Sequence, residues 1–581
     1  MEIKNYKNKI FSVTHLGVKN IFVLVLLLIL LSITEVLSIA LVYPFIDFVI
    51  NQEDTFIQKY GLFNIFKNSA GSFGLALTLG TILILSFLLK FVFSIFLRWK
   101  ISSFIWYSQS KLQVNLLKAY QLMDYEYFTF RGKSELVNNL KELTRAVIQS
   151  LEGWLKLISE IAIYIFILAY LISINYESVI ILSILVGIVF LFYFLLFKSS
   201  LIRLGKENLE AEKTFFSAID ENIKGFKEVK IFKKENLFLE QVKHGTEVIA
   251  NSNIKTEILS LFPRLILELL TVSLLIILIL ISIKSENNPS DLLPILGVFS
   301  LAALRIIPGV NIILLSLYRI NYGSYALDKL FSDLKRANEL KNSRTINVSN
   351  EINFENNNFR KLKVENVSFR YKKGRENIFA SLNFEIKSKE CIGIIGNSGI
   401  GKTTFVDLIL GLLKPNSGKI YINDKELKHY ENLYSIASYL PQDPVVLDGS
   451  IKKNICFQKE TFSINQKRIE ESLKFAELYD FVNSLPDKTN TLIGESGINL
   501  SGGQKQRLLL ARNFYFNREI IILDEATSAL DIETQKNVTR NIELLKNKKT
   551  LIIITHKIET LKNCHQVFKI ENKKLRLYDK Y

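Results

Sequence analysis

Cysteine is scarce in this sequence. Its three copies, Cys391, Cys456 and Cys564, all fall in the second half and show no metal-like spacing. That argues against a disulfide framework and for a reducing compartment. A compact basic motif interleaved with aromatics is also missing. The net charge is +17, but its Lys and Arg residues are spread over several loops. Nucleic acid is therefore not the expected partner, and positive-inside bias beside an anionic leaflet accounts for the charge. No small-residue cleavage site follows the first long apolar run, so that run reads as a span rather than a secretory leader. No peptidase domain precedes it, and coupled peptide processing is not expected.

What the chain does have is a strong division of composition. Nearly all long apolar runs lie in the first 320 or so residues, and the remainder reads as an α/β domain. A chain that is 49% hydrophobic yet 22% charged is explained by a membrane half joined to a soluble half. The expected domains are 1–330 in the membrane, a polar linker at 331–358, and a nucleotide-binding domain at 359–581. Six runs, near 20–47, 73–98, 150–174, 177–198, 259–283 and 292–318, are long enough to cross ~30 Å of hydrocarbon as helices. Even parity and the basic segments 98–149 and 199–258 put both chain ends on the cytoplasmic side of a cell inner membrane. Residues 1–19 read as a basic amphipathic segment on that surface. In the first external loop, Phe56, Tyr60, Leu62, Phe63 and Phe66 fit a small amphipathic helix or a plain loop.

The two cytoplasmic segments read as helical extensions of the spans, with tips near Tyr125–Ser134 and Lys224–Lys230. Ionisable residues inside spans need a reason, since a central Arg costs roughly 2.5 to 3.5 kcal/mol on insertion scales. Arg305 lies deep in the sixth run and faces either a translocation cavity or a packing partner. Arg264 lies nearer the cytoplasmic end of the fifth, where it can snorkel or pair with Glu268 one turn on. Glu35 and Lys90 are similarly placed.

The soluble half carries the chemistry. Gly396, Asn397, Ser398, Gly399, Ile400, Gly401, Lys402, Thr403 and Thr404 fit G-x-x-x-x-G-K-[ST] between an apolar strand, Cys391 to Ile395, and a helical run, Phe405 to Leu413. The glycines let successive N–H groups converge on phosphate oxygens at a helix N-terminus. Lys402 would neutralise the β- and γ-phosphates, and the Thr403 hydroxyl would ligate Mg²⁺. Tyr371 closes an earlier strand and is placed to stack on a purine. Gln442 follows Tyr439, Leu440 and Pro441. Ser501, Gly502, Gly503 and Gln504 open a helix as a second anion-binding turn. The run Ile520 to Leu523 delivers Asp524, a Mg²⁺ ligand, and Glu525, which would polarise water at the γ-phosphate. His556 ends another apolar run.

In this order the motifs resemble those of ATP-binding cassette (ABC) transporters of the exporter type. The resemblance covers the phosphate loop, the Gln442 loop, the Leu500–Gln504 signature, the Asp524–Glu525 strand and the switch histidine. Thr491, Gly494, Glu495 and Gly497 match an exporter-specific loop. It implies a fold of six transmembrane helices fused to a cytoplasmic α/β P-loop NTPase domain. It also implies ATP and Mg²⁺ as cofactors, with Gln442 among the metal ligands, and Glu525, His556 and Gln442 as catalytic residues. The functional unit it implies is a homodimer, each ATP lying between the Gly396–Thr404 loop of one copy and Ser501–Gln504 of the other.

The membrane half is similar to bacterial flippases for lipid-linked oligosaccharides, on Ser38 to Asp47, Pro263–Arg264 with Glu268, and Leu304–Arg305 followed by Pro308. That resemblance implies a membrane lipid as partner and Arg264 and Arg305 as contacts for a pyrophosphate. The alternatives are a general lipid or multidrug exporter and, in another class, an ATP-gated channel or regulatory subunit.

Overall fold

The computed structural model describes residue 9 and residues 18–51, 64–174, 176–284, 289–345, 359–372, 374–427, 433–457, 464–494 and 497–578. Outside these lie most of the basic segment 1–19, the helix-like stretch Phe56 to Phe63, much of the linker, and Glu495. The chain forms two compact units. One is Met1–Met123 with Arg131–Lys341, and the other is Asp124–Phe130 with Asn342–Tyr581.

The first unit is helical. Its long members are Val18–Ala40, Asn64–Gln121, Thr144–Ile174, Tyr176–Lys224, Glu235–Lys284 and Pro289–Thr345. Four stretches among the described residues, Lys19–Val49, Ala76–Gln121, Glu135–Ile174 and Pro294–Lys341, are long and apolar enough to cross a membrane. The expected runs at 177–198 and 259–283 lie inside the helices Tyr176–Lys224 and Glu235–Lys284. The 58 residues of Asn64–Gln121 would measure roughly 85 Å at 1.5 Å per residue. With no Gly or Pro between Arg98 and Gln121 to stop it, the second span continues straight into its extension. Pro263 and Pro308 sit within uninterrupted helices. The second extension turns at Gly225 into a short helix, Phe226–Ile231.

The second unit is built on strands β1 (Lys361–Phe369), β2 (Phe379–Lys387), β3 (Cys391–Ile395), β4 (Ser417–Ile422), β5 (Lys425–Glu426), β6 (Ala437–Leu440), β7 (Gly449–Ser450), β8 (Leu492–Ile493), β9 (Ile520–Asp524), β10 (Thr550–Ile554), β11 (Gln566–Glu571) and β12 (Lys574–Leu577). An antiparallel sheet runs β2-β1-β4-β5, and the main sheet runs β12-β11-β3-β10-β9-β6. From β11 to β6 the main sheet is parallel. Strands β3 and β9 are buried at every residue, as the unbroken apolar runs Cys391–Ile395 and Ile520–Leu523 require of central parallel strands. One core packs both sheets around Phe405, whose ring meets that of Phe384 edge-on at 5.2 Å.

This grouping differs in two places from the division at residue 330 expected from composition. The first unit runs on to Lys341, because the helix Pro289–Thr345 continues through the first part of the expected linker 331–358. Asp124–Phe130 belongs with the second unit because its polar groups and terminal ring are satisfied there. Glu126 accepts from the Lys372 amide at 2.9 Å, Asp124 pairs with Lys414 at 3.1 Å, and the Phe130 ring lies edge-on to Tyr371 at 5.8 Å.

Candidate nucleotide site and intramembrane charge cluster

β3 delivers the Gly396–Thr404 loop, the expected phosphate cradle, to the start of a helix. Gly399 and Gly401 have φ of 78° and 108°, a region that favours glycine, and a Cβ at Gly401 would lie 2.8 Å from Ile378. The helix spans Lys402–Ile409. It starts earlier and stops sooner than the expected Phe405–Leu413, because Gly411 takes φ 71° and the Leu412 and Leu413 amides turn back to the Asp407 carbonyl. Lys402 Nζ donates to the Gly396 carbonyl at 2.8 Å and stands 2.8 Å from His556 Nε2. Burial lowers the Lys402 pKa, while Glu525 and Asp524 act to raise it.

Around this ammonium the expected catalytic groups converge. Gln442 Nε2 donates to Glu525 Oε2 at 3.0 Å, and His556 Nε2 lies 3.0 Å from Glu525 Oε1. Glu525 takes a φ of 51°. Its backbone is fixed by its amide bond to the Ile554 carbonyl at 2.9 Å and by Gln506 Nε2 donating to its carbonyl at 2.6 Å. Asp524 is buried and receives the Tyr439 hydroxyl at 3.3 Å. Burial raises its pKa. Asp407, one turn into the phosphate-loop helix, is pushed up to about 6 by burial and by Asp524. Tyr439, Gln506 and Asp407 were not singled out from the sequence. Tyr439, in the strand ahead of Gln442, carried the only local signal.

Thr403, Gln442 and Asp524 are oxygen donors of the kind a hard divalent cation takes, which fits Mg²⁺. Such an ion would neutralise charge developing on a transferred phosphoryl group. Tyr371 is flanked by Phe369, edge-on at 4.9 Å, and its hydroxyl meets Thr404 Oγ1 at 3.2 Å. Ser501 caps the helix Gly502–Phe516 through a reciprocal box: its hydroxyl accepts from the Gln504 amide at 3.2 Å, and Gln504 Oε1 accepts from the Ser501 amide at 2.9 Å. A Cβ at Gly503 would lie 2.9 Å from the Ala529 carbonyl. Among the described residues, the side chains of Ser501 and Gln504 bond to each other's amides and not to residues 396–404 of the same chain.

In the helical unit, Arg305 is held by two carboxylates. It donates to Glu35 at 2.7 Å and, through both terminal nitrogens, to Glu160 at 2.8 and 3.1 Å. Lys90 lies 3.9 Å from Glu35. Gly309 leaves room for the cluster, since a Cβ there would sit 2.6 Å from Glu160 Oε2. The cluster borders a cavity of about 580 Å³ whose other walls include Leu28, Leu31 and Phe91. Arg264 instead pairs with Glu268 one turn on at 3.0 Å, with 45% of its side chain exposed.

Comparison with known proteins agrees with this geometry. Residues 379–528 match the family model described as ABC transporter. The chain is 39% identical over 212 residues to ABC transporter B family member 29, chloroplastic, of Arabidopsis thaliana, covering 36% of this chain and 33% of that one. It is 35% identical over 214 residues to an ATP-dependent lipid A-core flippase of Ralstonia nicotianae, 36% of each chain. It is 34% identical over 214 residues to a putative multidrug export ATP-binding/permease protein of Staphylococcus aureus, 36% and 37% of the two chains. The match thus spans about a third of the length of these curated relatives. Over 96% of this chain and 94% of the other, the fold is similar to a bacterial Atm1-family ABC exporter solved with ATP bound, with a TM-score of 0.74 at 20% identity. The chain therefore has the ABC exporter fold, a helical transmembrane domain and an α/β ABC ATPase domain.

Proposed function

We propose that two copies of this chain form an ATP-driven exporter, with both chain ends cytoplasmic, and that its substrate is an amphipathic glycolipid such as a polyprenyl-pyrophosphate-linked oligosaccharide. The observation that carries the transport reading is the convergence of Lys402, Gln442, Glu525 and His556 on one end of the main sheet. ATP would be held by Asn397, Ser398, Gly399, Gly401, Lys402, Thr403 and Thr404 of one copy, with Tyr371 near the base. Ser501, Gly502, Gly503 and Gln504 of the second copy would complete the site. Glu525 would polarise the attacking water, and closure would bias the membrane helices between two arrangements.

For the substrate, support comes from the cavity, where apolar walls lead to charged groups, and from similarity to a lipid A-core flippase. A pyrophosphate would engage Arg305 by taking the place of Glu35 or Glu160, with Arg264 as a second contact.

A multidrug or general lipid exporter is the second reading, favoured by those same carboxylates: Glu35 and Glu160 would serve a cationic amphiphile directly. Purified protein in liposomes distinguishes the two. Stimulation of ATP hydrolysis and inward-to-outward movement of a polyprenyl-pyrophosphate glycan supports the first. Stimulation by cationic amphiphiles, with none by the pyrophosphate lipid, supports the second. ATP hydrolysis at full rate by an isolated monomer would sink the shared-site premise of both.

A further inference from the structure

The ATPase unit carries two thiols that its nucleotide chemistry does not use. Cys391 opens β3 and is fully buried, while Cys564, between the turn Ile558–Leu561 and β11, is partly exposed. Although 173 residues apart in sequence, their sulfurs stand 3.1 Å apart. The backbone fixes this approach. The His565 amide donates to the Cys391 carbonyl at 2.8 Å, the Cys391 amide donates to His565 Nδ1 at 2.9 Å, and the Cys564 amide closes on the Leu561 carbonyl at 2.9 Å. The next pair along, Gln566 and Ile392, is in parallel register. A disulfide holds its sulfurs about 2.05 Å apart, so closure needs only about 1 Å of movement. The third cysteine, Cys456, is buried beside Tyr515.

We propose that Cys391 and Cys564 are a reversible disulfide site, oxidised by a hydroperoxide and reduced by a dithiol. Cys564 reacts first, because it is the more exposed of the two and a thiolate is the nucleophile. Its hydrogen bond with Cys391 holds its pKa below the ordinary thiol range, and Lys546 acts in the same direction. The thiolate attacks one peroxide oxygen, the O–O bond breaks, and the departing alkoxide takes up the proton that Cys564 released on ionising, giving a sulfenic acid and an alcohol. Cys391 sulfur then attacks Cys564 sulfur: the S–S bond forms, the S–O bond breaks, and the Cys391 proton leaves with the hydroxide as water. Two thiols and one hydroperoxide thus give one disulfide, one alcohol and one water, and the peroxide takes up two electrons.

The bond would tie the root of the phosphate-loop strand to the segment that follows His556. That segment already packs on β3, since a Cβ at Gly393 would meet the Leu561 side chain at 2.9 Å. The new link follows existing strand register and leaves the Gly396–Thr404 loop and Glu525 in place. It therefore acts as a staple that retains ATP hydrolysis.

The test uses the full-length protein and hydrogen peroxide. The denatured thiol titre should fall from three to one, peptide mapping should link Cys391 to Cys564 within one chain, and dithiothreitol should restore all three thiols. The thermal midpoint should rise by roughly 5 °C on oxidation. Cys391→Ser or Cys564→Ser should abolish the link and Cys456→Ser should not, while mapping of the unaltered protein needs no variant to fold. A titre that stays at three, a link through Cys456 or between chains, or over-oxidation of Cys564 with Cys391 still free overturns the proposal.

Discussion

Gln442 and Glu525 meet at 3.0 Å, a hydrogen bond that joins the end of β6 to the end of β9 and aims the carboxylate. Glu525 accepts the bond with its backbone at φ 51°, a conformation that costs a non-glycine residue about 1 kcal/mol or more. The bonds to Ile554 and Gln506 hold it there. Glu525→Gln keeps the shape and removes the proposed base, so ATP turnover should fall about a hundredfold or more with nucleotide binding retained. Phosphate release and nucleotide co-purification measure the two. Near-normal turnover would remove Glu525 from the water-polarising role.

Asp407 gives the ATPase unit a pH dependence of definite sign. Its pKa is raised from the ordinary 3.8 to about 6 by burial and Asp524, so the folded state prefers the protonated form. Its contribution to stability is greatest at low pH and is lost as pH rises from about 4 through 6. Above pH 6 the buried charge opposes folding by about 3 kcal/mol. Asp407→Asn should therefore gain on the parent protein in thermal midpoint as pH rises from about 4, with the full difference present at pH 7.5. A difference that narrows with rising pH would contradict the assignment.

The difference between these two residues shows what the sequence made legible. Glu525, Lys402 and Ser501 sit in contiguous motifs whose spacing is set by one strand, loop or helix start, so their placement could be read locally. Arg264 with Glu268 was equally local, and the two pair as one-turn spacing requires. Asp407 and Tyr439 gain their setting from Asp524, which arrives from more than 80 residues away. The partners of Arg305 lie 270 and 145 residues distant. Which faces of three helices meet is a matter of packing, and apolar runs alone do not specify it.

Ser501 illustrates a role that the motif did not reveal. Its hydroxyl is an acceptor in the capping box, while its own proton remains available to donate. Ser501→Ala should therefore cost about 1 kcal/mol in stability through the lost cap, besides any loss in turnover. Ser501→Asp restores a capping acceptor but places negative charge where a phosphate would approach, so it should recover the thermal midpoint and not the hydrolysis. Recovery of both would mean that capping is all Ser501 does.

The Glu35, Arg305 and Glu160 cluster sets the strongest constraint on the helical unit. Both carboxylates are largely buried, and the same Arg305 guanidinium serves them. Arg305→Ala would leave two carboxylates in a poorly solvated setting, with Lys90 near Glu35 as the remaining ion-pair partner among the described residues. Loss of one partner from a buried pair costs about 3–5 kcal/mol. Replacing all three, as Arg305→Met with Glu35→Gln and Glu160→Gln, removes the uncompensated charge as well as the attraction, and should recover most of the lost stability. The thermal midpoint in lipid nanodiscs, for the single and triple variants, provides the comparison. If Arg305→Ala melts with the parent protein, the three charges are not energetically coupled and the helices are held by apolar packing alone. If the single variant is unstable and the triple variant recovers, the cluster is a replaceable brace, and transport measured on the triple variant then isolates what its charge does for a substrate.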